Sequence, residues 1–258
     1  MRILSYNILD GGEGRADPLA EVIEANRPDI VTLIEADDLS VVERIANRLK
    51  MDYVVGPGPR HAVAVLSRWE IRDSVNHTPL HRDFTASFLE TTIRSPGHGQ
   101  QDLAVCAVHL HARAAEADEQ VRERQLDVIL RSTARHRDAR QPHVLAGDFN
   151  ANGPTQRIDV AKAKPATREA HAANGGRLPR RVVRRLLDAG YTDTLRAAAG
   201  DRADSLASFT TLHPQQRVDY IFTHGIPPAR IKAAWIEHDR LATYASDHYP
   251  VGAEIERA

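Results

Sequence analysis

Cysteine is almost absent from the sequence, because Cys106 is the only one among 258 residues. A single cysteine excludes an internal disulfide framework and is typical of a reducing compartment. Long apolar runs are missing as well. No stretch approaches the roughly 18 residues of a membrane-spanning helix, and the sequence starts without the apolar segment of a signal peptide. We therefore expect a cytoplasmic protein without a transmembrane segment.

An excess of charge of one sign is also missing. The 34 Lys and Arg residues balance 35 Asp and Glu residues. The protein as a whole therefore has no positive field that would attract nucleic acid, and only a local basic patch could do so. With 42% hydrophobic residues, the chain can bury a sizeable core. No internal repeat or low-complexity linker divides the sequence, so we expect a single domain over 1–258 and a monomer.

Short β-rich runs alternate with helical patterns along the chain. Strands are predicted over 2–7, 29–35, 61–69, 86–94, 102–111, 143–149, 217–223, 230–238 and 249–256. Helices are predicted in four places: after an N-cap at Asp17 with Pro18, after a capping box of Ser40 and Glu43, over 115–137, and over 178–190. Strands thus outnumber helices.

Polar side chains lie at the ends of the predicted strands. Five of them close strands, namely Asn7, Glu35, His109, Asp148 and Asn150. Three more lie near or just before strand starts: Asp219, Asp247 and His248. If all eight share one rim, the last strands run antiparallel to the early ones, so the sheets must be mixed. Two packed mixed sheets flanked by helices, an α/β arrangement, satisfy this order.

The eight residue types together suit a hard cation and a phosphate. Mg²⁺ prefers oxygen ligands and is commonly held by one or two carboxylates and the phosphate of the substrate. The other polar groups can orient a water molecule and stabilise the negative charge that develops in phosphoester hydrolysis. Each residue alone is as easily explained by a turn, a solvated loop or a structural histidine, and only their joint occurrence indicates chemistry.

Six motifs carry a resemblance to a known family. They are SYNI (5–8), PDIVTLIE (28–35), VHL (108–110), GDFN (147–150), RVDYIF (217–222) and SDHYPV (246–251). In this order they resemble the endonuclease/exonuclease/phosphatase superfamily, which includes pancreatic-type deoxyribonucleases, abasic-site endonucleases, inositol polyphosphate 5-phosphatases and bacterial sphingomyelinases. The resemblance covers nearly the whole chain. It implies a four-layer α/β sandwich with two central mixed β-sheets flanked by helices, and a phosphoester hydrolase, most simply a phosphodiesterase.

The resemblance also implies a Mg²⁺ or Mn²⁺ site. Glu35 would be the principal metal ligand, with Asn7 and Asp247 completing or bordering the site. The family usually has Gln before this Glu, whereas this chain has Ile34. A hydrogen bond behind the ligand is therefore expected to be missing or replaced, and metal binding is expected to survive.

The remaining residues are implied to act on the phosphate. Asp148 would orient or deprotonate the attacking water or serve the leaving oxygen, while Asn150 and His109 would contact phosphate oxygens. His248, paired with Asp219, would act on the opposite side. Either Asp148 or His248 can be the general base, and the sequence leaves this choice open.

Two departures from the abasic-site endonucleases bear on the substrate. Those enzymes carry Tyr where this chain has His109, and aromatic residues where it has SFTTLHPQQ (208–216). Both departures favour a deoxyribonuclease-like, sphingomyelinase-like or phosphatase-like branch. The expected partner is a phosphoester substrate, for which nucleic acid and a phospholipid headgroup are two candidates and a small molecule is a third.

The segment 154–187, which follows GDFN, is basic. It holds nine basic residues against Asp159 and Glu169: Arg157, Lys162, Lys164, Arg168, Arg177, Arg180, Arg181, Arg184 and Arg185. The last four form one stripe if this part is helical, with a buried side predicted at Val182, Val183, Leu186 and Leu187. The stripe either attracts a polyanion or is a solvated helix face.

Rival chemistries fit less well. HLHARA (109–114) contains the HxH of a dinuclear zinc site, but Arg113 and Ala114 stand where Asp and His are required. No GxSxG, Walker-type loop or HExxH occurs, and Cys106 in its apolar run is predicted to pack. A noncatalytic binding module of the same fold is the remaining alternative, although none of the predicted ligands is lost.

Overall fold

Two six-stranded β-sheets form the centre of the computed structural model, which describes residues 1–82, 84–94 and 102–256. The first sheet contains, in spatial order, β11 (Ile231–Ile236), β12 (Val251–Ile255), β1 (Arg2–Asn7), β2 (Ile30–Ile34), β4 (Val63–Ser67) and β3 (Asp52–Gly56). The second sheet contains, in spatial order, β5 (Ile71–Asn76), β6 (Ser87–Ile93), β7 (Leu103–His109), β8 (His143–Asp148), β10 (Asp219–His224) and β9 (Thr192–Asp193).

Each sheet combines one parallel pair with antiparallel neighbours. β1 is parallel to β2, and β7 is parallel to β8. β12 runs antiparallel to β1, and β10 runs antiparallel to β8. The mixed sheets predicted from the order of the polar residues are therefore confirmed. Because antiparallel strands begin where their neighbours end, the starts of β10 and β12 share a rim with the ends of the parallel pairs.

The sheets pack face to face, and the alternation of side chains in β7 shows how. Val105 and Ala107 join the apolar core between the sheets, whereas Cys106 and Val108 face the outer helices. Cys106 has no exposed surface, and burial raises the pKa of its thiol. This environment agrees with the packing role predicted for it.

Helices cover the outer faces of both sheets and complete a four-layer α/β sandwich. The α-helices among the described residues are α1 (Ala16–Ala25), α2 (Leu39–Leu49), α3 (Glu116–Ser132), α4 (Ala134–Asp138), α5 (Pro165–Ala173), α6 (Arg181–Asp188), α7 (Thr194–Ala199) and α8 (Arg240–Ala245). The apolar side chains of α1 and α2 join the core of the first sheet. Those of α3 and α6 pack on the second sheet. No helix in the described ranges is long and apolar enough to span a membrane.

Helix boundaries differ from the sequence predictions at three places. α1 begins before Asp17, which therefore lies in the first turn and does not cap the helix. Asp38, and not Ser40, caps α2, because its carboxylate accepts hydrogen bonds from the backbone N–H groups of Ser40 and Val41. The helix predicted over 115–137 is interrupted at Thr133, whose hydroxyl donates to the Ile129 carbonyl at 2.8 Å.

Candidate active site

The rim shared by the strand ends carries all eight predicted site residues. In the parallel pair β1 and β2, Asn7 lies beside Ile34, so Glu35 follows at the same edge. In the second sheet, Asp148 is paired with His109 on one side and with Asp219 on the other. The sheet registers therefore place these side chains, and no long loop is needed to bring them together.

Gly147 in GDFN has a packing role next to this rim. Its φ is +151°, and a Cβ at this position would lie 1.9 Å from the carbonyl oxygen of Val108. Only glycine allows β8 to approach β7 this closely. The glycine thus fixes the position of Asp148, the residue that follows it.

A cavity of about 730 Å³ opens at the rim. Six of the predicted residues line it: Glu35, His109, Asp148, Asn150, Asp247 and His248. Asn7 and Asp219 lie behind this lining and hydrogen-bond to it. The eight residues therefore belong to a single site.

Glu35 follows β2 with a left-handed backbone (φ 60°) and is held by two donors. Asn7 Nδ2 lies 3.2 Å from its Oε1, and the backbone N–H of Asp10 donates to its Oε2 at 2.8 Å. Burial raises the pKa of Glu35, but the Asp10 N–H and the imidazole of His109 outweigh this effect, so the pKa is lowered and the carboxylate stays ionised. These bonds hold Glu35 although Ile34 precedes it.

Asp148 occupies the centre of the site, with only 1% of its surface exposed. Its Oδ1 accepts the backbone N–H of Asn150 at 2.8 Å, and its Oδ2 lies 3.3 Å from Asn7 Nδ2. The same Oδ2 lies 3.7 Å from His109 Nε2 and 3.8 Å from His248 Nε2. Burial and the nearby carboxylate of Asp219 raise the pKa of Asp148 to about 8.

His248 and Asp219 form a buried pair. The imidazole Nδ1–H of His248 donates to Asp219 Oδ2 at 2.8 Å, and the hydroxyl of Ser208 donates to the same oxygen at 2.6 Å. This bond fixes the tautomer and turns Nε2 of His248 towards Asp148. Burial lowers the pKa of His248, but Asp219 and the other acids outweigh burial and raise it to about 10.

His109 and Asn150 form a neutral part of the site. Burial lowers the pKa of His109 to about 4, so its imidazole is uncharged near neutral pH. Asn150 has a left-handed backbone (φ 49°), and its Nδ2 donates to the carbonyl of Leu110 at 3.0 Å. Both side chains reach the cavity beside Asp148. They can therefore provide hydrogen bonds to a phosphate without adding charge.

The acidic groups at the cavity fit a hard cation. The Oδ1 atom of Asp247 is buried without a hydrogen-bond partner, and burial raises the pKa of this residue. An unpartnered carboxylate oxygen of this kind is satisfied by a cation. Glu35 supplies a second carboxylate in the same cavity. Asn7 is placed differently, because its Oδ1 accepts the backbone N–H of Leu9 at 3.0 Å and its Nδ2 faces the acids.

Lys164 and Phe209 are among the residues that line the cavity but were not assigned to the site from the sequence. Lys164 precedes α5, a helix that was not predicted, and Phe209 belongs to the loop before β10. Their only signals were the positive charge of the basic segment and the single aromatic residue in SFTTLHPQQ. Neither signal points to the cavity without the fold.

The predicted basic stripe faces a second helix. Arg181 forms ion pairs with Glu116 and Glu123 of α3 at 2.5 and 3.0 Å, and Arg185 is paired with Asp127. Two of the four arginine charges of the stripe are therefore neutralised within the protein. The buried side of α6 contains Val182, Val183 and Leu186 as predicted, but Leu187 is 37% exposed, so that prediction was wrong. Leu187 is the last residue but one of the helix, and its neighbour Leu186 remains fully buried.

The fold is shared with solved structures of an endonuclease, an exonuclease and TDP2. The chain is 19% identical to an AP endonuclease from Archaeoglobus fulgidus, with 100% of both chains covered and a TM-score of 0.76. For the 3'-5' exonuclease (NExo) from Neisseria meningitidis, the identity is 22%, the coverage 100% of both chains and the TM-score 0.72. For TDP2 from D. rerio, complexed with a single-strand DNA product, the identity is 20% and the TM-score is 0.66. The match covers 98% of this chain and 97% of the TDP2 chain.

These identities show similarity of fold, so the expected preference against abasic-site repair stays a prediction. No curated protein matches the sequence. The Endonuclease/Exonuclease/phosphatase family matches it over residues 4–248. This span contains five of the six motifs in full, the first three residues of SDHYPV, and all eight residues at the rim. The chain therefore belongs to the Endonuclease/Exonuclease/phosphatase family.

Proposed function

We propose that the protein is a Mg²⁺- or Mn²⁺-dependent phosphoester hydrolase of the phosphodiesterase type. The observation that carries this proposal is the surroundings of Asp148. This buried carboxylate lies within 4 Å of two imidazoles, those of His109 and His248, and shares the amide of Asn7 with Glu35. An acid, two imidazoles and a separate carboxylate in one cavity suit attack of water on phosphorus.

Asp148 and His248 have different roles in the proposed reaction. Asp148 orients the attacking water and accepts its proton, because it is the central acceptor of the site and its Oδ2 lies within 4 Å of both imidazoles. His248 stays protonated beside Asp219 and donates from Nε2 to a phosphate oxygen. The water oxygen forms the new bond to phosphorus while the bond to the leaving oxygen breaks. The leaving oxygen takes up a proton from solvent, and Asp148 releases to solvent the proton that it accepted from the attacking water.

Glu35 and Asp247 are the residues that would hold the metal. When bound, Mg²⁺ or Mn²⁺ supplies Lewis-acid polarisation of the phosphate. Asn7 would orient Glu35 through its Nδ2, and its predicted role as a direct ligand would require its Oδ1 to leave the Leu9 N–H. The donor set of carboxylate oxygens favours a hard cation over a soft one.

Nucleic acid is a second candidate for the substrate class. The fold resembles a Neisseria 3' phosphatase, NExo, bound to a product DNA hairpin, and TDP2 with its single-strand DNA product. In addition, Arg60, Arg113 and Lys164 line the cavity and can attract a polyanion. The ion-paired stripe on α6 contributes less than its sequence suggests. We take the active form to be a single-domain monomer.

A substrate panel under Mg²⁺, Mn²⁺ and Ca²⁺ tests the proposal. It should contain duplex and single-stranded DNA, RNA, abasic DNA, sphingomyelin, inositol phosphates, and simple mono- and diesters. We expect turnover of at least one phosphoester that chelator abolishes and Mg²⁺ or Mn²⁺ restores. Absence of metal-dependent turnover on the whole panel would identify a binding module that retains the fold.

A further inference from the structure

Lys164 is a cation at the cavity that the predicted site does not use. It lies just before α5 and is partly buried. Its Nζ lies 4.0 Å from the centre of the Phe209 ring, and that ring lies 4.4 Å from the imidazole of His248. Phe209 thus contacts both Lys164 and His248, and all three line the cavity.

The position of Lys164 is fixed by buried polar contacts. The hydroxyl of Thr167, one turn into α5, donates to Gln216 Oε1 at 2.6 Å, and Gln216 Nε2 donates to Asn152 Oδ1 at 3.0 Å. Gln216 also exchanges both backbone hydrogen bonds with Phe209. Gln216 therefore holds both α5, which Lys164 precedes, and Phe209, whose ring contacts the Lys164 ammonium.

The ammonium of Lys164 has no acidic partner of its own. In the ranges that the structure describes, no carboxylate lies within 4 Å of it, although Asp247 and Asp148 act on its charge from farther away. The neighbouring Lys162 differs, since it is 74% exposed and paired with Asp159 at 3.0 Å. A positioned, partly buried cation that faces a cavity and lacks a partner is suited to bind an anion.

We infer that Lys164 is a substrate-binding residue that donates to a non-bridging oxygen of the phosphate under attack, from the side of the cavity formed by Phe209 and His248. The inference rests on the proposed function for its substrate. It assigns Phe209 a positioning role, because the ring holds the ammonium through a cation–π contact. Lys164 then contacts every phosphoester that enters the cavity, whatever its leaving group.

The test compares Lys164→Gln with Lys162→Gln and Lys164→Arg. With bis(p-nitrophenyl) phosphate, we expect Lys164→Gln to lower kcat/KM about tenfold to a hundredfold, which is the range for a lost charged hydrogen bond. Lys162→Gln should match the wild type, and Lys164→Arg should keep most of the activity. Lys164→Met, which keeps the aliphatic stem over the ring, replaces Lys164→Gln if that variant does not fold.

A binding measurement separates this inference from the proposed function. Calorimetry with phenylphosphonate and Mg²⁺ should show at least tenfold weaker binding to Lys164→Gln than to the wild type and to Lys162→Gln. If the wild type hydrolyses nothing but shows this difference, the proposed function fails and the role of Lys164 stands. Unchanged phenylphosphonate binding by Lys164→Gln overturns the inference. A loss of activity of Lys164→Gln that is confined to a dinucleotide substrate also overturns the inference, because it would place Lys164 at a flanking phosphate and not at the phosphate under attack.

Discussion

His248 and Asp219 join the two sheets at the active site. His248 precedes β12 of the first sheet, Asp219 begins β10 of the second, and their hydrogen bond measures 2.8 Å. A second bond, from Asn7 Nδ2 to Asp148 Oδ2 at 3.3 Å, crosses between the same sheets. The site is therefore assembled between two rigid layers, and a shift of one sheet against the other would disturb both contacts.

Replacing Asp219 tests the protonation state in which His248 works. Asp219→Asn removes the charge that raises the pKa of His248, so this pKa should fall below its value of about 10. Asp148 and Asp247, with oxygens 3.8 and 4.0 Å from Nε2, remain and limit the fall. If His248 donates as a cation, the alkaline limb of the kcat/KM profile should move to lower pH, and the maximum rate should drop.

The control for this prediction is Ser208→Ala, which removes a hydrogen bond to the same carboxylate but keeps its charge. Its alkaline limb should stay close to that of the wild type. All profiles must be compared at saturating metal, because a bound water can titrate in this range. Because Asp219 also raises the pKa of Asp148, the acid limb should move to lower pH as well. An alkaline limb that stays in place in the folded variant would contradict the role of His248 as a cationic donor, and no shift of either limb would remove the pair from catalysis.

Replacing Glu35 tests the metal site. Glu35→Gln should weaken Mg²⁺ affinity and lower the rate by roughly a hundredfold or more, because it removes a charged ligand while keeping the size of the side chain. Mg²⁺ dependence of the rate and direct Mn²⁺ titration measure the two effects. Glu43→Gln is the matched control, since it removes an exposed carboxylate of α2. Near-normal activity with an unchanged Mg²⁺ optimum in Glu35→Gln would contradict the assignment.

The arginines of α6 separate polyanion binding from packing. If the stripe binds a polyanion, replacing Arg180, Arg181, Arg184 and Arg185 with Gln should raise KM for a long substrate. Because Arg181 is paired with α3, Arg181→Gln should instead lower the free energy of unfolding by about 0.5 to 1 kcal/mol. The exposed Arg184 has no ion pair among the described residues, so Arg184→Gln should leave stability unchanged.

Kinetics with a long and a small diester complete that comparison. We expect neither single variant to change KM for the small diester. Equal flattening of the salt dependence for long DNA by both variants would show that the stripe binds nucleic acid despite its ion pairs.

The strand framework could be predicted because its signals are local. Apolar runs that end at Asn7, Glu35 or Asp148 place a polar group at the end of a buried strand. Asp219 instead lies at the start of its apolar run, so its strand must run antiparallel to the others and the sheets must be mixed. The short edge strands β3, β5 and β9 were missed. Strand β5 has no buried residues, so its sequence does not show the expected alternation of polar and apolar side chains.

The remaining part of the site could not be predicted because it depends on contacts between distant segments. Lys164 reaches the cavity only because Thr167 is hydrogen-bonded to Gln216, which lies 49 residues away. The neutralisation of Arg181 by α3 likewise requires knowledge of which helices are neighbours. The predicted cap of α2 at Ser40 was a local error, since Asp38, two residues earlier, is an equally good cap residue.

Glu90 is a buried carboxylate that does not line the cavity. Glu90 in β6 accepts hydrogen bonds from His77 Nε2 at 2.9 Å and His136 Nε2 at 2.8 Å, and Arg135 pairs with it at 2.5 Å. Burial raises the pKa of Glu90, but these donors outweigh burial and lower it from 4.5 to about 2. Since the folded state binds this proton less readily than the unfolded chain, the ionised group stabilises the fold above pH 4.5 by up to about 3 kcal/mol.

That contribution should disappear as the pH falls from 4.5 towards 2, with roughly half of it lost by pH 3. Glu90→Gln should therefore lower the free energy of unfolding at pH 7, and its difference from the wild type should shrink in urea titrations between pH 5 and pH 3. The control Glu70→Gln breaks an exposed pair with Arg94 and should cost less than about 1 kcal/mol at every pH. A difference between Glu90→Gln and the wild type that stayed constant with pH would show that Glu90 stabilises the fold by packing, because only its charge couples stability to protons.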